Sequence, residues 1–243
     1  MKKALLAVLA IALVVGFAGC SLFQKGSPYC PLAEGNKWEY SGTSTTTMDY
    51  PEGEYIPADT SYEVPVTMVS EVMALEETTG DEPIEVWKIK SVLTVDVEGV
   101  DPTTSYSYVN ADKDYIYYYK DLDATEEWYK IPSKPVVGDK WTVETEIIDS
   151  IVPPDTFTSV FKTDYEVVED GVEANDYTGC LKISATPQNV ADYDEYFSYD
   201  YWAEDVGSVK TEFKSVVTEP YEEDTLTITI EGESLLDTFT EGE

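Results

Sequence analysis

The sequence predicts an all-β protein, in which long, twisted antiparallel strands form a curved sheet of about ten strands as a two-layer sandwich or half-barrel. Three observations predict it. Apolar and polar residues alternate with period two along most of the chain. The alternating runs are rich in Tyr, Thr and Val, which suit a pleated, half-buried surface. Clusters of Gly, Pro, Asn and Asp separate the runs, and capped segments of helical period are nearly absent after residue 20.

Taken in order, the first run is Lys37 to Met48, with Trp38 and Tyr40 on one face. Tyr62 to Leu75 follows through Val64, Val66 and Met68, and its continuation to Glu77 could also bend into a short helix. In Ile84 to Glu98 the face carrying Trp87, Ile89, Leu93, Val95 and Val97 is apolar, while Lys88 and Lys90 lie on the other. Tyr115 to Lys120, Lys140 to Ile148, Phe157 to Val168 and Cys180 to Ala185 come next. Asp194 to Ala203 and Ser208 to Val217 follow, and Leu226, Ile228 and Ile230 alternate with Thr225, Thr227, Thr229 and Glu231. Thr79-Gly80-Asp81, Gly99-Val100-Asp101-Pro102, Glu169-Asp170-Gly171 and Asp205-Val206-Gly207 read as turns.

One motif occurs twice. GNKW at 35–38 and GDKW at 138–141 each follow a proline, Pro31 or Pro135, and each opens an alternating strand with tryptophan. A glycine pair of this kind accommodates a tight turn with positive φ. Trp38 and Trp141 are therefore expected to be core anchors where a strand enters the sheet. The repeat also divides the β domain, residues 31–243, into two similar segments, 31–130 and 131–243.

The first nineteen residues read as a signal peptide. Lys2 and Lys3 precede the apolar run Ala4 to Val15, which is too short to cross a bilayer as a helix. The run ends in FAGC at residues 17–20. FAGC resembles the lipobox of bacterial lipoproteins, and that resemblance implies acylation of Cys20 with palmitate-type chains, membrane attachment through the N-terminal lipid and a tether over 20–30. With Ser21 rather than aspartate next, it implies the outer membrane where the organism has two. Later motifs carry a second resemblance: PLAEGNKWEY, KPVVGDKW, TGCLKIS and YWAEDVGSVK are similar to a loosely defined group of secreted bacterial proteins and lipoproteins. That group implies an all-β fold of long antiparallel strands and transfers no catalytic residue.

Composition limits function. The chain has 49 acidic residues against 15 basic ones, no histidine and a formal charge of −34. Nucleic acid, which needs clustered cations, is excluded as a partner, and anionic headgroups are disfavoured on the same ground. Without histidine, the Ser-His-Asp and Cys-His mechanisms and the usual zinc sites have no members to assign. A carboxylate-based hydrolase remains a remote reading, because 49 acids nominate no pair in particular. Asp121 and Asp123 begin a weak calcium candidate that lacks the glycine and distal glutamate of an EF-hand loop; otherwise no cofactor is expected. Cys30 and Cys180 are candidates for a disulfide if the chain is exported, or else small buried hydrophobes. Tyr115, Tyr117, Tyr119, Tyr199, Tyr201 and Trp202 are candidate linings of a ligand groove, since tyrosines on both faces of a strand cannot all enter one core. The leading expectation is a non-enzymatic cell-envelope lipoprotein whose acidic β domain binds a protein or glycan or supports an assembly. The alternative is a carrier of lipid or another apolar ligand in the concavity of the sheet.

Overall fold

The computed structural model describes residues 27, 29–50, 60–79, 82–124, 127–152, 155–188, 193–221 and 224–242. The signal segment and Cys20 lie outside them. Among the described residues twelve strands form one antiparallel sheet: β1 (Lys37–Asp49), β2 (Thr60–Glu77), β3 (Glu85–Val95), β4 (Thr103–Ala111), β5 (Tyr115–Tyr119), β6 (Tyr129–Pro132), β7 (Lys140–Val152), β8 (Asp155–Ala174), β9 (Tyr177–Pro187), β10 (Glu195–Ala203), β11 (Gly207–Tyr221) and β12 (Asp224–Thr240). Their order is β6-β5-β4-β3-β2-β1-β12-β11-β10-β9-β8-β7. Each half of the chain is thus an up-and-down meander of six strands, and the halves join where β1 pairs with β12, from Lys37 opposite Thr240 to Asp49 opposite Thr227.

The two ends of this order, β6 and β7, are consecutive in the chain and lie side by side. The sheet therefore curls into a nearly closed barrel with one seam. All-β antiparallel architecture agrees with the sequence, but the expected ten strands in a sandwich or half-barrel do not. Twisted sheets of this size curl, and closure removes exposed edges that a sandwich would keep. Two strands were not expected. β4 turns Ser105 and Ser107 inward and tyrosines outward, which inverts the usual polarity, and β6 has only four residues. The supposed turn at Glu169 to Gly171 is a bulge inside β8; the hairpin reverses at Asn175 and Asp176, both with positive φ.

The core gathers at the end of the barrel where the two glycine turns lie. Trp38, Val72, Ile89, Val109, Ile116, Ile131, Val167, Leu181, Trp202, Val209 and Leu236 belong to one buried cluster there. A plug that belongs to no strand completes it. Cys30, Pro31 and Leu32 are fully buried, and the Asn36 side chain holds the segment by donating to the Pro31 carbonyl. An extended plug fills the space for which an internal helix was not available.

Candidate functional site: the seam

The seam is built around Ser133, which is completely buried. Its N–H donates to the Asp114 carbonyl at 3.0 Å, its hydroxyl to the Asp112 carbonyl at 2.8 Å, and its own carbonyl accepts from the Ser27 hydroxyl at 2.6 Å. One residue thereby ties the β4–β5 turn, the β6–β7 connection and the incoming N-terminal segment. The β4–β5 turn is shaped by Asp112, whose Oδ1 accepts from the N–H groups of Asp114 and Tyr115 at 2.8 Å each. Its Oδ2 accepts from the Tyr117 hydroxyl. Burial, with that bond to Asp112, pushes the Tyr117 phenol up to about 12.

Stacked aromatics close the seam from inside. Tyr118 stacks on Tyr129 with centroids 4.4 Å apart on the β6 side, and Trp141 on Tyr165 at 5.6 Å on the β7 side. Burial first, then the neighbouring Tyr129, raises the pKa of the Tyr165 phenol.

Outside lies an open cleft of about 730 Å³ lined by Lys113, Asp114, Tyr115, Lys130, Pro132, Lys134, Asp139, Lys140 and Trp141. Four lysines meet two carboxylates here, whereas in the whole chain acids outnumber bases 49 to 15. Lys130 stands over the Tyr115 ring at 4.9 Å and near Glu127 at 3.7 Å. Lys140 pairs with Glu166 at 2.8 Å, and Lys113 lies 3.7 Å from Asp114. Lys134 makes no ion pair among the described residues. Such exposed pairs contribute little, so an anionic ligand can displace them. A second hollow of about 400 Å³ shares Lys140 and Trp141 with the cleft and is lined further by Thr142, Asp164, Tyr165, Glu166, Ser184 and Thr186.

The six groove candidates are not brought together. Tyr115 lines the cleft and Tyr117 borders it through Lys130. Tyr119 is buried, and Trp202 is interior. Tyr199 and Tyr201 lie elsewhere on the barrel, where Lys182 sits 3.8 Å and 5.5 Å from their rings. The outer-face tyrosines carry lysine ammonium groups instead of forming one groove, and Lys88 with Tyr106 and Tyr108 repeats the arrangement in the first half. Trp38 is fully buried, while Trp141 is half-buried at the cleft. Cys30 and Cys180 are buried thiols, not a disulfide; the Cys180 thiol, raised by burial, donates weakly to the Tyr177 carbonyl. Asp121 serves its own turn by accepting from the Asp123 N–H, and Asp123 ties that turn to the β2–β3 connection by accepting from the Thr79 hydroxyl.

Sequence reasoning overlooked Asp200. It is 4% exposed and accepts from Trp202 Nε1 at 2.5 Å, Ser208 at 2.5 Å and Thr211 at 3.2 Å. Burial pushes its carboxyl up to about 6 despite these donors. Only its place inside a run of tyrosines, at an inward position, marked it in the sequence.

No family model matches the chain, and no curated protein matches it. A solved structure described as a "putative lipoprotein" from Parabacteroides distasonis ATCC 8503 covers 89% of this chain and 100% of its own, at 11% identity and a TM-score of 0.43. A likeness that weak carries neither fold nor function to this chain.

Proposed function

We propose that this chain is a non-enzymatic, lipid-anchored protein of the cell envelope whose barrel is a binding domain and whose binding surface is the seam cleft. The anchor rests on the basic head, short apolar run and FAGC of residues 1–20. The binding role rests on one observation: the cleft gathers four lysines beside Tyr115 and Trp141, matched by Asp114 and Asp139 in its lining and by Glu127 and Glu166 paired to two of the lysines, on a chain whose acids outnumber its bases 49 to 15. Cations collected at an opening between low-dielectric walls favour an anionic ligand. Asp200 does not support hydrolysis, because its bonded neighbours are Trp, Ser and Thr rather than a second carboxylate. The carrier reading has less support, since tryptophans, tyrosines and the plug fill the described end of the barrel.

Thermal unfolding with panels of ligands tests the proposal. A ligand that binds only the native state raises Tm. Soluble multivalent anions such as inositol hexakisphosphate should raise it, and Lys134→Glu with Lys140→Glu should remove the effect. Stabilisation by fatty acids alone would favour the carrier instead, and stabilisation by neutral oligosaccharides alone would reject the anionic cleft.

A further inference from the structure

We infer that the partner of the seam is the headgroup layer of an anionic phospholipid bilayer, so that the barrel stands seam-down on the membrane holding its anchor. This inference rests on the anchored binding domain proposed above. The chain enters the barrel here: the Ser27 hydroxyl donates to the Ser133 carbonyl. Cys20 lies only seven residues upstream, and seven residues reach at most about 25 Å. An acylated Cys20 therefore holds the seam within that distance of the bilayer.

The loop from β6 to β7 has the composition of an interfacial tip. Val136 and Val137 are 61% and 55% exposed, side by side, between Lys134 and Lys140. The positions preceding the first glycine turn are Ala33 and Glu34, so the turn itself does not require an apolar pair. Valines at such a tip can enter the headgroup boundary while flanking ammonium groups reach phosphates. Lys113 and Lys130, each beside a carboxylate that an anionic surface can displace, extend the same row of ammonium groups.

The formal charge of −34 does not oppose this arrangement as the summed composition implied. Screening limits the field of a membrane to about 10 Å. The charges at the seam consequently decide the contact, and the acidic remainder is held away from the surface. A net-charge argument made for the whole chain misses a local patch where four lysines stand beside four carboxylates, Asp114, Asp139, Glu127 and Glu166, instead of being outnumbered by them.

The test uses the full-length chain with its anchor, reconstituted into vesicles of phosphatidylcholine or of phosphatidylcholine rich in phosphatidylglycerol. Lysine acylation is read by mass spectrometry. Labelling of Lys113, Lys130, Lys134 and Lys140 should fall about threefold or more in the anionic vesicles and recover at high salt. Labelling of Lys88 and Lys182 should stay unchanged, and Val136→Glu with Val137→Glu should abolish the protection. If soluble inositol hexakisphosphate protects these lysines but anionic vesicles do not, membrane docking is overturned and the anion cleft stands. Protection by neither overturns both.

Discussion

Val72 and Val167 hold equivalent places in the two halves of the sheet, each gripped by a glycine turn through the same pair of hydrogen bonds. The Val72 carbonyl accepts from the Gly35 N–H at 2.9 Å, and the Val72 N–H donates to the Asn36 carbonyl at 2.9 Å. The Val167 carbonyl accepts from Gly138 at 2.9 Å, and the Val167 N–H donates to the Asp139 carbonyl at 3.0 Å. A bulge follows each valine. The repeated motif is therefore a clamp on the neighbouring long strand, and its tryptophan enters the barrel beside that clamp.

The clamps differ in their cover. Gly35 and Gly138 have φ of 84° and 94°, where an alanine costs about 1–2 kcal/mol. A Cβ on Gly138 would meet nothing within 4 Å, but one on Gly35 would meet the Gly242 Cα at 3.3 Å. Urea unfolding should show Gly138→Ala losing about 1 kcal/mol and Gly35→Ala losing more.

The tryptophans should separate in the same way. Trp38 donates to the Val206 carbonyl at 2.9 Å and stacks on Phe239 at 5.2 Å. Trp38→Ala should cost about 3–5 kcal/mol. Trp141→Ala should cost less, and the indole of Trp141 should be quenched by acrylamide more readily than that of Trp38. Equal quenching in single-tryptophan variants would contradict the half-exposed position.

Asp200 adds a pH dependence whose sign follows from burial. Its folded pKa of about 6 stands above the unfolded value of 3.8, so the native state binds the extra proton. The favourable term is complete below pH 4 and is lost as pH rises through 6. Relative to Asp200→Asn, the wild type should lose up to about 3 kcal/mol between pH 4 and pH 7. Because other carboxylates cancel in the difference, a constant offset would contradict the assignment.

Cys30 and Cys180 should resist iodoacetamide in the native state, being buried. Both should label after denaturation without reductant. Failure of both to label would restore the disulfide.

The strands were legible where one face is plainly apolar, as in β3 and β12, because burial writes a period of two into the residues. β4 was hidden because serines face in and tyrosines out. The bulge at Gly171 imitated a turn, since positive φ serves both. The cleft was less legible still. Lys113, Lys130, Lys134 and Lys140 belong to one stretch, 113–140, but it takes the pairing of the short strand β6 with β5, which the sequence did not reveal, to set them round one opening. The exposed Val136-Val137 pair beside them was readable in the sequence, but it looked like the lead-in to a turn.

The most direct measurement of the central claim is the affinity of inositol hexakisphosphate for the protein by isothermal titration across a series of salt concentrations. Binding at one site that weakens as salt rises, and falls about tenfold or more in a Lys134→Gln, Lys140→Gln variant of unchanged stability, is the predicted result. Absence of binding at low salt, or equal binding by the variant, would contradict the assignment of the seam as the binding surface.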